Sequence, residues 1–211
     1  MTPTLVPAIL AKTSAELALQ FDQVRNLSSL LSYDVADGQF VPSLTPSPRD
    51  FPQTSKAEIF WHLMVEKPLE FIDECLALPT KIIAVQAEAG GAPAAIEKLA
   101  SSPVLTGLVV NPSTPVRALE QFLPQVDLIQ IMTVIPGAQG QHFLPAMLPK
   151  LSQLRCLKSD LMLAVDGGVS SATIESVLRY RPDYIVVGSA LTRARDPAEE
   201  WRVLSRLVAA S

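Results

Sequence analysis

Short runs of β-branched and apolar residues recur along this chain at 5–10, 30–35, 59–65, 81–87, 105–110, 127–134, 161–165 and 184–187, mostly 22 to 28 residues apart. Between most of them stand segments of helical period: "SAELALQFDQVRNL", "PLEFIDECLAL", "PAMLPKLSQLRCL" and "SATIESVLRY". This alternation constrains the fold more than any other feature. A crossover of that length brings the chain back parallel to the strand it left, and eight such units close on themselves. The spacing predicts an α/β chain folded as a single (β/α)8 TIM barrel over residues 1–211. A doubly wound open sheet is the alternative that periodicity leaves standing.

Two crossovers read poorly as helices. "VPSLTPSPRDFPQTSK" carries four prolines between the second and third runs, and "GGAPAAIEKLASSP" is short. The last segment, "DPAEEWRVLSRLVAA", has the opposite character. Asp196 is a candidate N-cap, Pro197 fits the first helical position, and two glutamates follow in the first turn.

Composition excludes several function classes. Hydrophobic residues make up 48% of the chain and charged residues 18%, which supports a large core and argues against disorder. A net charge of −4 speaks against a nucleic-acid partner. No apolar run reaches the length of a membrane span, and no basic-then-apolar leader opens the chain, so a cytoplasmic location and no membrane partner are expected. Cys75 and Cys156 lie in helical segments without metal-ligand spacing and are expected as reduced core thiols.

In a barrel of this kind chemistry sits at the C-terminal strand ends. Glycines cluster behind the last three runs, at Gly137, Gly140, Gly167, Gly168 and Gly188. Backbone N–H groups that approach an anion closely need such residues, so a phosphate cradle over 137–140, 167–168 and 188–189 is expected. No lysine or arginine stands beside these turns in the sequence. In "SYDVADGQFVP", Ser32, Asp34 and Ala36 share one face of the strand, and Tyr33 and Val35 the other. Tyr33 and Val35 suit the layer under the helices, so Asp34 should point into the barrel. Asp166 in "LAVDGG" and His62 in "FWHLMV" end their strands in the same way, with Met64 on the face of His62. A buried charge needs a partner, and two inward carboxylates with one imidazole at one rim suggest a metal or a substrate proton. Asp37 is expected to cap the turn into "GQFVP".

"PAIL", "DVADGQFVPSLT", "HLMVEKP", "VQAEAG", "VVNPSTP", "QIMTVIPGAQGQHFLPAMLPKL", "VDGGV" and "VGSAL" resemble, in order and spacing, the ribulose-phosphate 3-epimerases from about Pro7 to Leu191. The resemblance implies a ribulose-phosphate-binding barrel that interconverts D-ribulose 5-phosphate and D-xylulose 5-phosphate. It implies Asp34 and Asp166 as acid and base on opposite faces of C3. It also implies a divalent metal held by Asp34, His62 and Asp166, usually zinc, with manganese or iron as alternatives. Met64 and Met132 match the methionines that line the reacting face, and the phosphate loops correspond to Gly137, Ala138, Gln139, Gly140, Gly167, Gly168, Gly188 and Ser189. A sugar phosphate is the implied partner, and a homo-oligomer the implied assembly.

Four positions depart from that pattern. Ser32 stands where the family has a metal-ligating histidine, Ala8 replaces a serine, Gln86 a histidine and Ala36 a methionine; Ser32 and Gln86 are expected to line the pocket. In the loop after the sixth run, Gln139 replaces a glycine. Three protein ligands still make a workable catalytic site. Two other readings therefore stay open: a barrel that binds a sugar phosphate without turnover, and another phosphate-barrel isomerase.

Overall fold

The computed structural model describes residues 2–137 and 140–211. Eight parallel strands close in sequence order: β1 (Thr4–Ile9), β2 (Leu30–Ala36), β3 (Glu58–Met64), β4 (Thr80–Gln86), β5 (Leu105–Val110), β6 (Leu128–Met132), β7 (Met162–Asp166) and β8 (Tyr184–Val187). β1 pairs with β8, which completes the barrel and removes any open sheet edge. The (β/α)8 expectation is met and the open-sheet alternative is excluded.

Seven helices lie among the described residues: α1 (Ser14–Val24), α2 (Leu69–Leu76), α3 (Ala92–Ala100), α4 (Pro149–Leu157), α5 (Ile174–Leu178), α6 (Ser189–Thr192) and α7 (Pro197–Ala209). α1 begins where Thr13 Oγ1 accepts from Glu16 N, and α7 where Asp196 Oδ1 accepts from Glu199 N, as "DPAEE" foretold. "GGAPAAIEKLASSP" forms a true helix, α3, because its four buried residues, Ala92, Ala95, Ile96 and Leu99, follow helical period. The proline-rich crossover forms only a 3-10 turn at Pro48–Asp50. It is pinned instead by aromatic packing: Tyr33, Phe51 and Trp61 lie with ring centroids 4.8–5.4 Å apart, and Tyr33 Oη donates to Pro52 O at 2.6 Å. Between β5 and β6 two more 3-10 turns, Val116–Leu119 and Leu123–Gln125, replace a helix.

Two apolar layers result from the strand alternation. Val6, Leu30, Phe60, Ile82, Val109, Leu128, Ala164 and Val186 fill the barrel interior. Ile9, Tyr33, Val35, Trp61, Ile83, Leu108, Ile131 and Val165 pack outward against the helices. Cys75 is buried in this outer layer, whereas Cys156 is exposed, a correction to the expectation of two core thiols. Cys156 follows Arg155 on α4, where only Leu151 and Leu154 of the helix turn inward.

Candidate active site

The inward faces of β2, β3 and β7 carry polar residues at their C-terminal ends. Asp34 and His62 are lateral neighbours in the β2–β3 register, and Asp166 is the last residue of β7. His62 Nδ1 lies 3.1 Å from Asp34 Oδ1 and 3.5 Å from Asp166 Oδ2. Each residue offers one donor atom, and these atoms all lie within 4.8 Å of one another. The three residues that sequence reading singled out thus converge on one point.

The three side chains are largely buried, and the electrostatics follow. His62 is only 1% exposed. Burial pushes its imidazole down, but Asp166 and Asp34 outweigh that and raise it to about 9. Burial raises the Asp34 carboxyl; His62 opposes the rise and Asp166 adds to it. The other ring nitrogen, Nε2, sits 2.8 Å from Gln86 Nε2.

Above this group opens a cleft lined by Asp34, His62, Asp166, Met64, Met132 and Ala8, with Gly137, Gly140, Gly167, Gly168, Gly188 and Ser189 along its rim. All the described glycines expected to form the cradle therefore border one space. Ala138 and Gln139 lie outside the described residues. Gly167 and Gly168 have φ of +111° and +66°, and a Cβ on Gly168 would meet the Phe143 backbone at 3.0 Å. Thr133 fixes this corner, because its backbone N donates to Asp166 O at 2.7 Å and its Oγ1 lies 2.5 Å from Gly167 O. Ser32 and Gln86, expected to line the pocket, are instead fully buried and do not border the cleft. Ala36 packs with Met64 and Val41. Asp37 stays outside the cluster as expected: its Oδ1 accepts from Gln39 N and Phe40 N, and its Oδ2 from Glu66 N.

Two residues escaped sequence reading. Gln130 points inward from β6, its Nε2 donating to Asp166 Oδ2 at 3.1 Å and lying 3.5 Å from His62 Nδ1. The signal was present: a glutamine within "LIQIM", in phase with Met132, can only face the interior. Arg193 is brought against the loop after β6, where a Cβ on Gly140 would meet its Nη1 at 2.5 Å. More than fifty residues separate the two in sequence, so no local pattern announced it.

The chemistry present suits a divalent cation. Two carboxylate oxygens and one imidazole nitrogen form a mixed donor set, and three nearby buried oxygens, Ser32 Oγ, Gln86 Oε1 and Gln130 Oε1, have no hydrogen-bond partner. Among the described residues, no helix is long and apolar enough to cross a membrane.

The family profile described as the ribulose-phosphate 3 epimerase family matches residues 4–192. A protein named ribulose-phosphate 3-epimerase from Bacillus subtilis is 32% identical over 197 residues, spanning 89% of this chain and 91% of that protein. Its namesake from Synechocystis sp. is 34% identical over 207 residues, spanning 92% and 90%. The solved structure of 3-hexulose-6-phosphate synthase from Salmonella typhimurium superposes with a TM-score of 0.72 at 18% identity over 98% of each chain. Orotidine 5'-phosphate decarboxylase from Pyrococcus horikoshii superposes with a TM-score of 0.68 at 14% identity, over 98% of this chain and 99% of that one. These two structures share the fold. With the family profile spanning nearly the whole chain and relatives above 30% identity over about nine-tenths of it, this chain belongs to the ribulose-phosphate 3-epimerase family.

Proposed function

We propose that this protein interconverts D-ribulose 5-phosphate and D-xylulose 5-phosphate by moving the proton on C3 from one face to the other. The observation that carries the reading is the convergence of Asp34, His62 and Asp166 beneath a rim of glycines. A carbon next to a carbonyl is acidic enough for a carboxylate to deprotonate once the developing negative charge is stabilised. Asp34 and Asp166 enter from separate strands and serve as the acid–base pair. One takes the C3 proton while the other delivers a proton to the opposite face, and the roles exchange when the reaction reverses. A divalent cation bound by Asp34, His62 and Asp166, with zinc the best match to this nitrogen–oxygen set, would supply positive charge beside the substrate oxygens.

The chain's own residues do the remaining work. Gly167, Gly168 and Gly188 allow backbone N–H groups to approach the phosphate, which anchors the sugar at the rim. Met64 and Met132 form an apolar, adaptable wall that keeps water from the reacting carbon. Gln86 holds the far nitrogen of His62, which fixes the ring plane.

Exchange of the C3 proton of ribulose 5-phosphate in deuterated buffer tests this reading, with and without added zinc, manganese or iron. The expected result is exchange coupled to formation of xylulose 5-phosphate. Tight binding without exchange under every metal condition would identify a sugar-phosphate-binding barrel without turnover, the alternative raised by Ser32, Ala8, Ala36 and Gln86.

A further inference from the structure

Four side-chain heads meet at the centre of the barrel mouth, and the fourth is the Gln130 amide. Gln130 is fully buried on β6, and its Nε2 lies 3.1 Å from Asp166 Oδ2 and 3.5 Å from His62 Nδ1. His62 Nδ1 is in turn 3.1 Å from Asp34 Oδ1 and 3.5 Å from Asp166 Oδ2. Donor atoms about 2.1 Å from a tetrahedral ion stand about 3.4 Å from one another. Four of the six distances among these heads, at 3.1–3.5 Å, match the edge length of a tetrahedral coordination shell, and the Asp34 and Asp166 donor atoms lie within 4.8 Å of each other.

The oxygen of that amide is the informative atom. Gln130 Oε1 is buried with no hydrogen-bond partner, and so is Gln86 Oε1. Buried acceptors are rarely left unpaired, and an amide exchanges its nitrogen and oxygen by a half-turn about its last bond. Turning Gln130 brings Oε1 to the head position beside Asp166 and His62. Turning Gln86 sets its Oε1 against His62 Nε2, so the ring donates Nε2–H outward and presents the Nδ1 lone pair to the cluster. The Gln86 rotation pairs its orphaned oxygen with the ring N–H. The Gln130 rotation sets Oε1 beside the Asp166 carboxylate and the Nδ1 lone pair, where a cation satisfies it and four donors converge.

We propose that Gln130 Oε1 is the fourth protein ligand of a divalent cation held with Asp34, His62 and Asp166. The inference rests on the metal-assisted reading above. It explains how the chain does without a histidine at Ser32: the missing donor arrives from β6 as an amide oxygen instead of from β2.

Zinc and cobalt binding to the chelator-stripped full-length chain test it, by calorimetry and the cobalt d–d spectrum, on the wild type, Gln130→Leu and Asp37→Asn. The wild type and Asp37→Asn should bind one equivalent with the same spectrum. Gln130→Leu should bind at least about tenfold more weakly and show a changed spectrum, as water replaces the amide. A zinc-loaded crystal of the wild type should place Oε1 about 2.0–2.2 Å from the ion. An unchanged spectrum in Gln130→Leu, or a loaded crystal with the amide still donating to Asp166, overturns the role of Gln130 and leaves the metal reading intact. No metal binding by the wild type overturns both. Should Gln130→Leu fail to fold, the loaded wild-type crystal decides.

Discussion

Without bound metal, the protein should lose stability as pH rises above neutrality, and His62 should carry a definable part of the loss. Its imidazole, fully buried between two carboxylates, is raised from 6.5 to about 9. The folded state therefore holds a proton that the unfolded chain has already released. That contribution is fully present below about pH 6.5 and disappears as pH passes through about 9. A rise of about 2.5 at about 1.36 kcal/mol each sets an upper bound of about 3–4 kcal/mol. Cys75 and Tyr33, both raised by burial, push stability in the same direction at higher pH, so the wild-type curve alone does not isolate His62. The comparison with His62→Gln does, since glutamine keeps hydrogen-bonding capacity at this position without titrating. Urea denaturation in the presence of EDTA, at several pH values from about 6 to about 9.5, supplies the free energies. The wild type should lose about 2–3 kcal/mol more than His62→Gln over that range. Parallel curves for the two proteins would refute the claim that the carboxylates hold a proton on His62.

Asp34→Asn should lower C3 exchange by about 10²–10⁴-fold while binding of ribulose 5-phosphate by calorimetry changes little; an unchanged exchange rate makes the carboxylate structural. Gly168→Ala should cost about 1–2 kcal/mol, because it forces a side chain to φ +66° with its Cβ 3.0 Å from the Phe143 backbone. The same variant should bind inorganic phosphate more weakly, and wild-type affinity would remove the cradle. Asp37→Asn should leave turnover near wild type. Burial pushes the Asp37 carboxyl up, but the N–H groups of Phe40, Glu66 and Gln39 outweigh it and hold it below the usual range. Its contribution is therefore present above the unfolded carboxylate pKa and lost as pH falls through the folded one; acid titration of the wild type should be steeper than that of Asp37→Asn.

Local patterns were enough for the order of alternating strands and helices and for the inward direction of Asp34, His62 and Asp166, while the pairing of β1 with β8 was needed to exclude the open sheet. Side chains alternate across a strand whatever the strand packs against, so "SYDVADG" fixes which residues face inward once Tyr33 and Val35 are assigned outward. The α7 cap was legible for the same reason, since Asp196, Pro197 and Glu199 act within one turn. Most of the glycine rim was legible because φ above zero, as at Gly137, Gly140, Gly167 and Gly168, selects glycine at the chain position itself.

What the sequence by itself determined is therefore one-dimensional: element order, the face each residue takes, and the turns that need glycine. Barrel closure decided the rest. It set Gln130 of β6 against both Asp166 of β7 and His62 of β3, three residues from distant parts of the chain. It buried Ser32 and Gln86 out of the cleft, and laid Arg193 against the loop at Gly140. Each of these contacts depends on strand stagger and barrel radius, which arise from all eight strands pairing at once. No single segment encodes that geometry, so side chains that meet across the barrel become visible only when the ring is closed.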